Sequence, residues 1–214
     1  MAVAAILALC AGNAVAQLVE GKDYVVIDSA AEQGHAAAPA ARAAGDRIEV
    51  VEYFSYACPH CARLDPQLEK WRHKLPANVV LRRVPVIFGR AEWEVLARLY
   101  FTLEAGNQLD ALHAKVFTAL HGERVNLFTP DAVADWIARQ GMDRAAFVDR
   151  YNSFAVQVRL QGANALAQQT GIESVPSFVV GGRYRTDLDL ARDYGRLLGI
   201  VDALVAKTAT SSPH

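Results

Sequence analysis

The hydrophobic period of the chain changes four times between residues 48 and 184, and the order of those changes limits the fold most. Ile48-Glu-Val-Val-Glu-Tyr-Phe54 is apolar at positions of both parities, the mark of a strand covered on two faces and hence central in a sheet. From Pro59 the period becomes helical: Cys61, Leu64, Leu68, Trp71 and Leu75 fall on one stripe, with Pro66 expected to kink it. Leu75-Pro-Ala-Asn78 is a stop, and Val79 to Ile87 is a second strand. Residues 91–170 are then helical in pattern, with stripes at Trp93, Leu96, Ala97 and Tyr100 and at Leu109, Leu112, Val116, Phe117 and Leu120. Thr129-Pro130-Asp131 opens a helix burying Val133, Trp136 and Ile137, with threonine as the cap and proline at the first helical position.

Strand character returns at Ser177 to Val180, followed by a Gly181-Gly182 turn, Arg183-Tyr184 and a last helix over Leu190 to Ala206. The order predicts an α/β layer, residues 17–88 and 171–207, interrupted by an all-helical insertion over 89–170, with 208–214 a polar tail. Gly21 to Ile27 reads as a short extended segment, and the Ala-, Gly- and Pro-rich residues 29–46 as a loop.

Residues 1–16, MAVAAILALCAGNAVA, carry no charged side chain and end in Ala14-Val15-Ala16. They fit an export signal cut before Gln17, although no Lys or Arg stands near the start. A buried N-terminal helix is the alternative. The apolar stretch falls short of the roughly 20 residues that span a bilayer. With the signal removed, Cys58 and Cys61 are the only cysteines left, in an oxidising compartment. A net charge of −1 gives no reason to expect nucleic acid as a partner.

Those two cysteines bracket Pro59 and His60. Haem attachment would need a histidine at 62, where alanine stands. A structural zinc site commonly takes two such pairs, and there is no second one, so no metal is expected. As a staple, so small a loop would add little stability. Redox chemistry remains. A strand, a tight turn and then Cys-x-x-Cys opening a helix put Cys58 at the N-terminus, where free N–H groups and the macrodipole favour an anion. Pro59 at the first helical position lacks no bond there. The two Cα atoms would lie about 5 Å apart, within disulfide range. Cys61 falls on the apolar stripe, so the expectation is an exposed, activated Cys58 and a buried Cys61. His60 would supply a hydrogen bond or positive charge beside Cys58; the plain alternative is a surface histidine.

Glu52-Tyr-Phe-Ser-Tyr-Ala-Cys-Pro-His-Cys61, with Gly171-Ile-Glu-Ser-Val-Pro-Ser-Phe178 and Gly181-Gly182 downstream, resembles the DsbA family of periplasmic thiol–disulfide oxidoreductases. The resemblance spans nearly all of residues 20–206 and implies a thioredoxin fold carrying a helical insertion. It implies that Cys58 attacks, that Cys61 resolves, and that Pro176 is a cis proline facing them with Val175 shaping the peptide-binding surface. It implies no cofactor beyond a Cys58–Cys61 disulfide, reduced and unfolded exported proteins as substrates, and re-oxidation by a DsbB-like membrane quinone reductase. The function expected is a monomeric dithiol oxidase in the periplasm. A reductase or isomerase, or a non-catalytic binder of unfolded chains or metal, are the alternatives; the separate N-terminal dimerisation domain that dedicated periplasmic isomerases carry is not expected here, which argues against an isomerase.

Three charged residues complete the candidate site. Glu52 interrupts an apolar strand face, Asp65 lies one helical turn beyond Cys61, and Arg83 occupies the place of a lysine common in the family. Glu52 and Asp65 could move protons to and from Cys61, since burial raises a carboxyl pKa into the useful range. The alternative is that Asp65 and Arg83 are merely solvated. The histidines at 35, 73, 113, 121 and 214 read as surface residues without a role.

Overall fold

A computed structural model describes residues 18–27 and 47–211. The expected signal at 1–16, the loop at 29–46, His35 and His214 lie outside the described residues. Five strands form one mixed sheet: β1 (Val25–Val26), β2 (Ile48–Phe54), β3 (Val79–Pro85), β4 (Ser177–Val180) and β5 (Tyr184–Asp187), in the order β1-β5-β4-β2-β3. β2 runs parallel to β3 and antiparallel to β4, so the doubly apolar strand is covered on both edges and both faces. Parallel pairing needs a crossover, and helix α1 (Pro59–Arg72) supplies it.

Alternation along β2 sorts its side chains between two cores. Ile48 and Val50 point to a layer made by Leu64 and Leu68 of α1 with Leu197, Val201 and Leu204 of the last helix. Val51 and Tyr53 point to the opposite face, against the insertion. That insertion enters after β3 and leaves before β4 as α2 (Ala91–Ala105), α3 (Leu109–Phe117) with a π-helical turn at Thr118–Gly122, α4 (Pro130–Arg139), α5 (Arg144–Tyr151) and α6 (Phe154–Gln169). Thr129 caps α4 by accepting from Ala132 N–H, as its sequence predicts. Leu64, Leu68, Leu103 and Leu127 are fully buried, and truncating a leucine in such a place costs about 2–5 kcal/mol.

The C-terminal segment departs from expectation. Instead of one helix from Leu190, a single turn α7 (Leu188–Ala191) ends at Arg192, whose φ of 66° is left-handed, and α8 runs from Tyr194 to Ser211. Asp193 Oδ1 accepts from Arg196 N–H and ties the start of α8. Amphipathic spacing does not register a one-residue reversal, so the sequence ran the two helices together. Residues 208–211 are consequently helix and not tail. Pro66 stays within α1, which is continuous from Pro59 to Arg72.

Candidate active site

The site is made where β2 runs into α1. After Phe54 the chain turns through Ser55-Tyr-Ala57, with Ser55 Oγ accepting from Ala57 N–H and Ser55 O from Cys58 N–H. Cys58 is the N-cap of α1, in extended conformation, and Pro59 takes the first helical position. No side chain caps the helix, which leaves its first N–H groups for the Cys58 sulfur. Opposite stands the Val175–Pro176 bond, which is cis, as expected. Val175 O lies 3.4 Å from Cys58 Sγ and accepts from the thiol.

Both cysteines are unbridged, and their surroundings push them apart. The Cys61 thiol donates to Cys58, the backbone N–H groups of Cys61 and His60 add to it, and the Arg63 charge helps; against burial, these bring Cys58 down from 9.0 to about 6. Cys61 goes well up, first through burial and then because it is the donor to Cys58 and lies near the Cys58 and Glu52 charges.

Two expectations need correction. Cys58 is not openly exposed: it is 6% accessible against 1% for Cys61, because the turn and the Val175 loop close over all but an edge of its sulfur. And the His60 ring is engaged on the rim through Nδ1, which lies 3.0 Å from Tyr194 Oη and 3.1 Å from Arg63 Nη2. What His60 gives Cys58 is its backbone N–H. Arg63 Nε also donates to Tyr194 Oη, so the phenol holds both side chains of the exposed rim.

Behind Cys61 the charges are buried. Arg83 Nε donates to Glu52 Oε2 at 3.0 Å, a pairing made possible by the β2–β3 register that sets the two residues opposite each other. Arg83 also bonds Glu69 and lies 3.8 Å from Asp65. Glu52 is 3% accessible, and burial pushes its carboxyl up to about 7 against the pull of Arg83, with Asp65 and Glu69 adding to the rise. Asp65 and Arg83 are thus parts of a buried network, and the solvated alternative falls.

The sequence reading missed a member of that network. His113, expected at the surface, is buried; Asp65 Oδ1 lies 3.1 Å from its Nε2 and Tyr56 Oη 2.7 Å from its Nδ1. The contact with Asp65 has ion-pair geometry, but burial, with Arg83 nearby, holds the imidazole below its usual range, so the ring is neutral and donates through Nε2. Position 113 falls between Leu109, Leu112, Val116 and Phe117 on the apolar stripe of α3, and that placement was the available signal. His121, exposed as expected, lies with Nε2 2.7 Å from Tyr56 O. His73 is exposed. Among the described residues no group of three His, Cys, Asp or Glu is placed to hold a metal ion.

Comparison with known proteins agrees with this arrangement. Residues 49–194 match the DSBA-like thioredoxin domain family. The thiol:disulfide interchange protein DsbA of Bordetella pertussis is 46% identical over 163 residues, covering 76% of this chain and 77% of the relative. The Pseudomonas aeruginosa protein of the same name is 37% identical over 187 residues, 87% of this chain and 84% of the relative. Crystal structures of DsbA from Pseudomonas aeruginosa and Xylella fastidiosa each superpose with a TM-score of 0.79. They share 36% and 33% identity, cover 89% and 91% of this chain, and are themselves covered to 94% and 99%.

Proposed function

The chain belongs to the DsbA family, and from that membership together with the opposed sulfurs we propose how its reaction is divided among its residues. The protein is a thiol:disulfide oxidoreductase of thioredoxin fold, introducing disulfides through Cys58 and Cys61. In its oxidised form a substrate thiolate attacks Cys58 Sγ, the Cys58–Cys61 bond breaks, and Cys61 departs as a thiolate. Cys61, whose thiolate burial disfavours, takes a proton, and Glu52, still protonated near neutrality, is the group that gives it. A second substrate thiolate then attacks the substrate sulfur of the mixed disulfide and expels Cys58 as the stabilised thiolate. Two electrons have passed from the substrate dithiol to the protein pair.

The remaining assignments follow the same reading. Pro59 starts the helix without needing a bond, and Asp65 and Arg83 hold Glu52 in its pairing. Val175 and Pro176 offer the surface on which a substrate segment lies beside Cys58. The substrates are reduced, unfolded exported proteins in the periplasm, and a DsbB-like membrane quinone reductase returns the pair to the disulfide. The protein works as a monomer, with no cofactor beyond that disulfide. Of the described residues, 18–27, 47–88 and 171–211 belong to the thioredoxin-like unit and 89–170 to its insertion.

The observation that carries this reading is the placement of Cys58 at a helix N-terminus against Val175 O, with Cys61 buried one turn on, which lowers the first thiol and raises the second. Equilibration with glutathione tests it. An oxidase should have its disulfide reduced by glutathione far more readily than a structural one, and should oxidise a reduced, unfolded client protein to completion. A pair that stays oxidised in excess glutathione, or a double Cys58→Ser, Cys61→Ser variant that keeps its effect on the client, would speak for a reductase or a binder instead.

A further inference from the structure

His113 belongs to the insertion, yet both ring nitrogens are committed to the thioredoxin-like part of the molecule. The ring is 6% accessible and meets Phe54 and Phe117 edge-on, at 5.5 and 5.3 Å between centroids. The Asp65 carboxylate can only accept, so Nε2 carries the proton and Tyr56 donates its O–H to Nδ1. A residue wanted for packing alone would bury no such nitrogens, because each costs free energy unless paired. The chain of contacts continues from Asp65 to Arg83 and from Arg83 to Glu52 and Glu69. The ring is thus faced by Asp65 and, further along, Glu69 from α1, by Tyr56 from the turn, by Tyr100 from α2, and through Asp65 by Arg83 of β3 and Glu52 of β2.

We propose that His113 is a positioning residue for the redox reaction: by donating to Asp65 from the insertion, it leaves Arg83 seated on Glu52, the group that exchanges a proton with Cys61. The inference rests on the proton-transfer reading of Glu52. Deprived of the His113 donor, the buried Asp65 carboxylate turns to the nearest remaining cation, Arg83, already 3.8 Å away. Glu52 then loses part of its pairing and keeps its proton to higher pH. The bonds made and broken at sulfur are unchanged. What moves is the pH at which Glu52 can supply the proton that Cys61 takes up when it is released, and accept it back when the disulfide re-forms.

The test is the single-turnover reduction of the Cys58–Cys61 disulfide by dithiothreitol, followed across pH in the full-length protein. Dividing each rate by that of a partner protein carrying Glu52→Gln removes the ionisation of the dithiol itself. The wild-type ratio should inflect at about 7. In His113→Leu the inflection should rise by about one unit, whereas His113→Gln, which keeps an N–H donor near the place of Nε2, should restore it. If the leucine variant does not fold, His113→Asn, too short to reach Asp65, should show the same rise. A wild-type inflection at about 7 that stays unmoved in the folded His113 variants would overturn the positioning role alone. A ratio flat in pH for the wild type would overturn the Glu52 reading and this inference with it.

Discussion

Cys58 and Cys61 are one helical turn apart and differ in nearly everything that surrounds them. The Cys58 side is a rim: a helix start, a peptide carbonyl at Val175, and the exposed His60 and Arg63 joined by a half-buried Tyr194. The Cys61 side is sealed by Glu52, Asp65, Arg83 and His113, each buried or nearly so. On the rim, hydrogen-bond donors converge on sulfur and favour its anion. On the sealed side burial disfavours the anion, and the charges present are mostly carboxylates. The same element thus ends up with one sulfur near 6 and another well above 9.0. The contrast teaches that one turn is enough to divide two sulfurs: the Cys61 thiol and the first helix N–H groups donate to Cys58, while burial, with the Cys58 and Glu52 charges adding to it, holds the proton on Cys61.

The largest effect should come from removing either sulfur. Cys58→Ser should abolish client oxidation and trap no mixed disulfide, whereas Cys61→Ser should accumulate mixed disulfides through Cys58 on non-reducing gels; equal trapping by the two would erase the asymmetry. Next in size is Arg83→Leu. It leaves Glu52, Glu69 and Asp65 without their shared cation, and breaking a buried pair in this way costs about 3–5 kcal/mol. Urea denaturation should register that loss, and a change below about 1 kcal/mol, typical of a surface pair, would mean the network is solvated in solution.

Glu52→Gln should act through pH. The folded protein holds the Glu52 proton up to about 7, while the unfolded chain releases it near 4.5. The carboxyl therefore adds stability below 4.5 that is lost as pH rises towards 7. Subtracting the stability of Glu52→Gln from that of the wild type should leave a difference that falls across this window, and a flat difference would place Glu52 in water. Tyr194→Phe should have the smallest effect. It frees the His60 ring and Arg63 on an exposed rim, so the Cys58 titration should move up by only a few tenths of a unit. A shift as large as a full unit would show that the rim side chains, and not the backbone N–H groups, hold the thiolate.

Much of this was legible in the residues. The period-two and helical stretches marked β2, β3, the insertion and the hairpin, because burial on a sheet face or a helix stripe leaves its period in the sequence. Cys58 at a helix start followed from position, whereas Arg83 was brought to the site only by the resemblance, and its pairing with Glu52 appears with the β2–β3 register. What escaped depends on single backbone angles or on long-range partners. The reversal at Arg192 has no periodic signature. The partners of His113 lie 48 and 57 residues away in the chain, so its place on an apolar stripe could be noticed but not interpreted. The near-closure of Cys58 comes from the Val175 loop, 117 residues downstream.

Thiolate absorbance of the reduced protein, followed against pH with Cys58→Ser and Cys61→Ser as references, tests the asymmetry most directly. The account predicts one thiol ionising at about 6, absent in Cys58→Ser, and a second that stays protonated beyond 9.0. Two thiols ionising together near 8.5, the value of an unperturbed cysteine, would contradict it.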